Sequence, residues 1–347
     1  MRSTSTRIDA ASLVQIPRCF ASCSIGETSD SLPARLHALS SAGFTQIELS
    51  FPDLQSFASK LFGRNVGEDD YDALCEAGER VRRICEDEGL EVFILQPFAN
   101  FEGWKEGSKE RTEAFERAKG WIRIMQSVGT KMLQVGSSDS EGIETKRTSI
   151  VRDLSLLCDL LAEHGFKLAY ENWCWSTHAP TWHDVYEIVQ AVRNERGKPN
   201  IGLCLDSFQT AGSEWADPTS LNGLDGNATR DASLDRSMER LAATVPADMI
   251  YFFQVSDAYR LAEPLADKTV DGLRPKGRWS HDHRPLPYHG GYLPIAKVTR
   301  AILQTGFRGT FSVEVFDATA KGVPHDEYAT QAKASLERLF AECVDAK

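Results

Sequence analysis

Four oxygen-bearing side chains stand inside or at the ends of otherwise apolar runs: Glu171 in KLAYENW, Asp206 in IGLCLDSF, Gln254 in YFFQVS and Glu314 in TFSVEVF. A carboxylate among apolar neighbours costs several kcal/mol to desolvate alone, so each acid must be paired, face solvent or bind a metal. Taken singly, each fits an ordinary strand-end acid paired with Lys or Arg. Taken together on four successive runs, three carboxylates and an amide oxygen form a hard donor set. That set suits one divalent metal ion, Mg, Mn or Co, better than it suits thiolate-seeking metals. Their summed charge of about −3 against a doubly charged ion leaves room for a neutral, oxygen-rich small-molecule substrate.

Other polar residues lie near the ends of the runs. Glu48, Gln96 and Gln134 would meet substrate hydroxyls or ligated water, or else hydrogen-bond to one another to close the mouth of a barrel. Proton transfer needs a group that titrates near neutrality, and the candidates are His178, His281 and His283, with His289 behind them. For each, a hydrogen-bonded or surface loop histidine is the competing reading. Arg284, in the same stretch as the last three, is a candidate substrate contact. Trp104, Trp173 and Trp175 would either wall a pocket or fill the core.

The elements that must position these groups are eight β-rich apolar runs: 18–24, 46–51, 91–98, 131–136, 167–173, 201–208, 251–256 and 310–316. They are near-continuously apolar, as strands buried on both faces of a parallel sheet are. Between them the apolar residues recur at three and four residue steps, as in Ile150, Leu154, Leu157, Cys158 and Leu161, which predicts helices with one buried stripe. Gly43, Gly89, Gly129, Gly165 and Gly306 each precede a strand, where a helix ends in the left-handed conformation. Alternating strands and helices with no composition break predict an α/β fold, one (β/α)8 TIM barrel over residues 18–345, preceded by a flexible N-terminal leader over 1–17. The alternative is an open doubly wound sheet, but no glycine-rich phosphate-binding turn follows any strand. Two long connections, 209–231 and 257–291, both follow strands and would lie over the catalytic face.

The 347 residues carry 50 Asp and Glu against 39 Lys and Arg, a formal charge of −11 that repels nucleic acid and anionic lipid. No run approaches membrane-spanning length and no targeting segment is evident, which predicts a cytoplasmic protein. The eight cysteines are scattered without metal-finger spacing and read as reduced core thiols. Oligomeric state is not legible.

The pattern resembles the xylose-isomerase-like barrel superfamily, in which Glu, Asp, His or Gln, and Glu from strands five to eight hold one metal ion. More closely, ASCSIG, GFTQIELSFPDL, LQPFANFEGW, YENWCWSTHAPTW, GLCLDSFQTAG, QVSDAYRL and GGYLPIAKV resemble the fungal-type 3-dehydroshikimate dehydratases of quinate breakdown, from about Arg18 to about Phe340. The resemblance implies a metal-dependent lyase that makes protocatechuate, with Glu171, Asp206, Gln254 and Glu314 as metal ligands and Arg260 as a substrate contact. It departs from the pattern at the base: where many relatives carry a histidine, this chain has Trp173 and Gln209.

Three rivals stay open. A keto-sugar epimerase or isomerase would use Glu171 and Glu314 as paired acid and base on the same metal. A metal-dependent nuclease would need many strand-end histidines and tolerate less acidity. A non-catalytic binding barrel would have lost its metal.

Overall fold

The apolar runs form strands because their side chains are excluded from water on both faces; all six residues of Ile201–Asp206 are buried. The computed structural model describes residues 6–345. Eight parallel strands close into a barrel: β1 Arg18–Ala21, β2 Gln46–Ser50, β3 Glu91–Phe98, β4 Met132–Gly136, β5 Lys167–Glu171, β6 Ile201–Asp206, β7 Ile250–Val255 and β9 Thr310–Val313. Closure is made by β9, which pairs with β7 through Gln254 and Ser312 and with β1 through Cys19 and Ser312. Alternation along each strand divides the core. On β5, Leu168 and Tyr170 join the outer layer of helices, while Ala169 packs inside the barrel with Ile94, Cys204 and Phe252. Glu171, next in the inward series, therefore points into the barrel at its C-terminal end.

Local chemistry ends the helices as expected. Helix Leu32–Ala42 closes on Gly43 at φ 89° and helix Lys109–Val128 on Gly129 at φ 82°, conformations that penalise any residue with a Cβ. Helix Trp182–Asn194 starts with a capping box between Thr181 and Asp184.

Three segments differ from expectation. The stretch to residue 17 holds a short helix, Ala10–Val14, capped by Asp9 and seated by buried Ile8, Leu13 and Ile16. It is tied to the far end of the chain by Ile8 N donating to Asp345 Oδ2 at 2.8 Å. A helix of one turn is unstable alone and draws its stability from tertiary contacts, so periodicity does not reveal it. Residues 1–5 lie outside the described residues. The connection after β6 begins with helix Ser207–Glu214, capped by Asp206. The connection after β7 contains helix Pro275–Asp282 and a two-residue strand, β8 His283–Arg284, which pairs antiparallel with β10 Phe316–Asp317. Among the described residues no helix is long and apolar enough to cross a membrane.

Beneath the mouth, a buried ion pair anchors the turn after β1. Arg35 donates to Asp53 Oδ1 at 2.9 Å and to the Ser22 carbonyl, and Ser22 Oγ donates to Asp53 Oδ2 at 2.6 Å. The same turn reaches the site, because Val315 N donates to Ser24 Oγ at 2.9 Å. Asp53→Ala strands a buried guanidinium, and we expect equilibrium urea unfolding to register a loss of about 3–5 kcal/mol. A loss below about 1 kcal/mol counts against the anchor.

Candidate active site

Glu171, Asp206 and Glu314 meet at the C-terminal mouth, and one carboxylate oxygen from each lies within 4.8 Å of the others. Each is positioned by its own element. Glu171 ends β5. Asp206 ends β6 and caps the next helix, its Oδ1 accepting from the amides of Phe208 and Gln209. Glu314 follows β9, held by its own N–H to the Val255 carbonyl at 3.2 Å.

Gln254, expected as the fourth donor, stands beside them on β7. Its Nε2 donates to Glu48 Oε2 at 2.8 Å and its Oε1 faces Cys204 Sγ at 3.2 Å, so its amide oxygen is turned from the carboxylates. Which end of an amide is oxygen follows from its neighbours, and a half-turn aims the oxygen at the opposite partner. Glu48 is a fourth carboxyl group inside the barrel, and Gln134 donates to Glu171. Gln96 donates to Glu314 Oε1 at 3.5 Å and to Cys23 Sγ at 3.7 Å.

The counter-charge comes from Arg284. Fully buried, it donates from Nη2 to Asp206 Oδ2 at 2.6 Å and to the Glu314 carbonyl at 3.0 Å, and pairs through Nη1 with Glu314 Oε2 at 3.1 Å. Its Nε donates to Ser256 Oγ, and its guanidinium lies over the rings of Phe208 and Phe316 at 4.6 and 5.3 Å. Arg284, expected as a substrate contact, is the ion-pair partner of two carboxylates in this structure. A planar fork between aromatic faces suits that place, since both pairs are made without water.

One guanidinium does not balance four buried carboxyl groups. Burial pushes Glu48 and Glu171 well above the usual carboxylate range, with Glu314 adding repulsion to both. Burial also raises Asp206, against the pull of Arg284, and lifts Glu314 to about 7. The ionised cluster is short of positive charge, which protons or a cation would supply. Glu171 Oε1 is buried and accepts no hydrogen bond from any described residue. An orphaned, buried oxygen on a carboxylate gathered with two more fits a divalent ion with oxygen ligands.

The remaining candidates divide. His178 is buried behind β5, its Nε2 3.3 Å from Glu102 and 3.0 Å from Tyr170 Oη. Tyr170 faces the helices, so His178 belongs to an outer hydrogen-bonded cluster and not to the carboxylates. His283 precedes Arg284 on β8, and strand alternation turns its side chain away from them. His289 is exposed. Arg260 is exposed beside Gly223 and Tyr292 and forms no ion pair among the described residues, so the expected substrate arginine stands away from the cluster. His281 lines a cavity of about 130 Å³ at the mouth, together with Cys23, Ser24 and Phe316. Gln96 bonds both Cys23 on that cavity wall and Glu314, and Phe316 on the same wall lies against Arg284. His281 is itself exposed at that wall, and partial desolvation, with the nearby charge of Arg284, lowers its pKa below its ordinary value.

Both positions where the resemblance leads one to seek a base hold groups that do not titrate. Trp173 Nε1 donates to Glu171 Oε2 at 2.9 Å, and Gln209 Oε1 accepts from Cys174 N at 2.9 Å. Trp173 and Trp175 stack at 5.2 Å beside Glu171, whereas Trp104 lies apart, bonded to the Asn100 carbonyl.

Residues 36–341 match a family model described as xylose isomerase-like TIM barrel. A Neurospora crassa protein named 3-dehydroshikimate dehydratase is 31% identical over 89% of this chain and 86% of its own length. A Pseudomonas aeruginosa protein of the same name is 28% identical over 89% of this chain, which spans 40% of that protein. Among solved structures, a xylose isomerase-like TIM barrel/4-hydroxyphenylpyruvate dioxygenase fusion protein superposes with a TM-score of 0.69 at 25% identity, over 96% of this chain and 45% of the other.

Proposed function

The chain belongs to the xylose isomerase-like TIM barrel family, and from that premise we propose that it is a divalent-metal-dependent lyase converting 3-dehydroshikimate to protocatechuate. The observation that carries this reading is the triad of Glu171, Asp206 and Glu314, in a chain that aligns with most of the length of a relative so named.

When bound, a divalent ion, Mg, Mn or Co, supplies positive charge against the negative charge that builds on a ketone oxygen as a neighbouring carbon loses its proton. Glu171, Asp206 and Glu314 would hold it, with Gln254 as a fourth donor were its amide oxygen turned to face them. Arg284 holds Asp206 and Glu314 in place and favours their ionised forms against the effect of burial. His281, at the cavity wall, takes the carbon-bound proton and delivers it to the departing hydroxyl, which leaves as water. The ring then enolises to the aromatic product. Cys23 on the cavity wall and Gln96, which bonds both Cys23 and Glu314, are the groups ring hydroxyls would meet. Arg260 could join only by moving inward.

Incubating the purified protein with 3-dehydroshikimate, with and without chelator and with metal returned, and following the aromatic absorbance tests the reading. An epimerised, non-aromatic product points to the isomerase alternative. No turnover with any added divalent ion overturns the assignment.

A pH dependence follows from His281. Its folded pKa is lowered, so the neutral, proton-accepting form predominates above it. We expect kcat/KM to rise with pH through an inflection below about 6.5 and to level off above it, and His281→Gln to lose about 100-fold together with that inflection. An unchanged acid limb in His281→Gln assigns the base elsewhere.

A further inference from the structure

The two oxygens of Glu171 have unlike surroundings. Oε2 accepts from Trp173 Nε1 at 2.9 Å and from Gln134 Nε2, while Oε1 is buried and accepts nothing from any described residue. An indole N–H only donates and does not titrate, so it holds an ionised oxygen without competing for the ion's place.

The indole reaches Glu171 across the neighbouring strand. Gly136 on β4 pairs with Glu171 on β5, and a Cβ at residue 136 would stand 2.1 Å from Trp173 Cε2. Glycine here is therefore a condition for where the ring lies. Trp175 stacks on the ring at 5.2 Å, and Ser137 Oγ accepts from the Trp173 amide at 2.9 Å.

We propose that Trp173, seated on Gly136 and seconded by Gln134, is a positioning residue that commits one oxygen of Glu171 and presents the other alone to a divalent cation. The inference rests on reading the carboxylate cluster as a cation site. It makes Glu171 a one-oxygen ligand, and it gives the tryptophan that stands two residues after the strand-five glutamate a task unlike that of a base.

The test is calorimetric titration of the metal-stripped, full-length protein with Mn²⁺ alone, which reads cation affinity without turnover. Trp173→Phe keeps an aromatic ring, though a smaller one, and removes the N–H, and we expect it to weaken Mn²⁺ by about 10–100-fold at unchanged stoichiometry, with thermal unfolding of the stripped protein little altered. Gln134→Leu removes the second donor and falls in the same range. Gly136→Ala pushes the ring away and does likewise, but has no further effect in a Trp173→Ala background, where no ring remains to displace. Wild-type affinity in both Trp173→Phe and Gly136→Ala overturns the proposal while leaving the cation site standing. Failure of the wild-type protein to bind Mn²⁺ overturns the cation reading and the proposal together.

Discussion

Replacing Asp206 by Asn or Glu314 by Gln is expected to lower kcat/KM for 3-dehydroshikimate about 1,000-fold or more, and to abolish Mn²⁺ binding in the same calorimetric titration. The two amides differ from the acids by little in shape, so packing changes little. The charge changes completely. Asp206 loses its ion pair with Arg284 at 2.6 Å, and Glu314 loses the partner at 3.1 Å, while the oxygens facing Glu171 lose the negative charge a hard cation requires. Glu48 is the internal control. It is equally buried and close by, but its pKa is pushed far up and its hydrogen bond is to neutral Gln254. Glu48→Gln mimics the protonated acid and is expected to stay within about tenfold of wild type. If all three variants lose the same modest amount, the triad is not a metal site.

The second large effect is on stability. Arg284→Met should cost about 3–5 kcal/mol in chemical unfolding of the metal-stripped protein, because it leaves Asp206 and Glu314 buried without their cation. The loss is expected to shrink in saturating Mn²⁺, which binds the folded state and takes over part of the charge balance. Arg284→Lys should restore little. A single ammonium cannot span two carboxylates, the Glu314 carbonyl and Ser256 Oγ, nor lie flat against Phe208 and Phe316. Unfolding indistinguishable from wild type, with only KM raised, would make Arg284 the substrate contact first expected of it.

Much of this site was legible in the chain because of strand alternation. Glu171 and Asp206 stand at the ends of strands buried but for the exposed Lys167 that begins β5, and successive barrel strands must bring such ends to one mouth. The barrel followed from the same runs and from the glycines that end helices such as Leu32–Ala42. The histidines were read less well. His178 lies five residues past the end of its apolar run, and the turn carries it behind the strand to Glu102 and Tyr170.

Periodicity and composition determine which residues face inward and at which end of a strand they sit, because those properties repeat over two or four residues of local backbone. Contacts that join distant parts of the chain follow a different rule. Arg284 reaches Asp206 across 78 positions, and it does so only because β8 docks on β10 and turns the guanidinium inward. Arg260, in the same long connection, ends exposed. Trp173 reaches Glu171 only because the adjacent strand ends in a residue without a side chain. Such choices are made by the free energy of packing whole connections over the mouth, a sum over many partners that no short window of sequence contains.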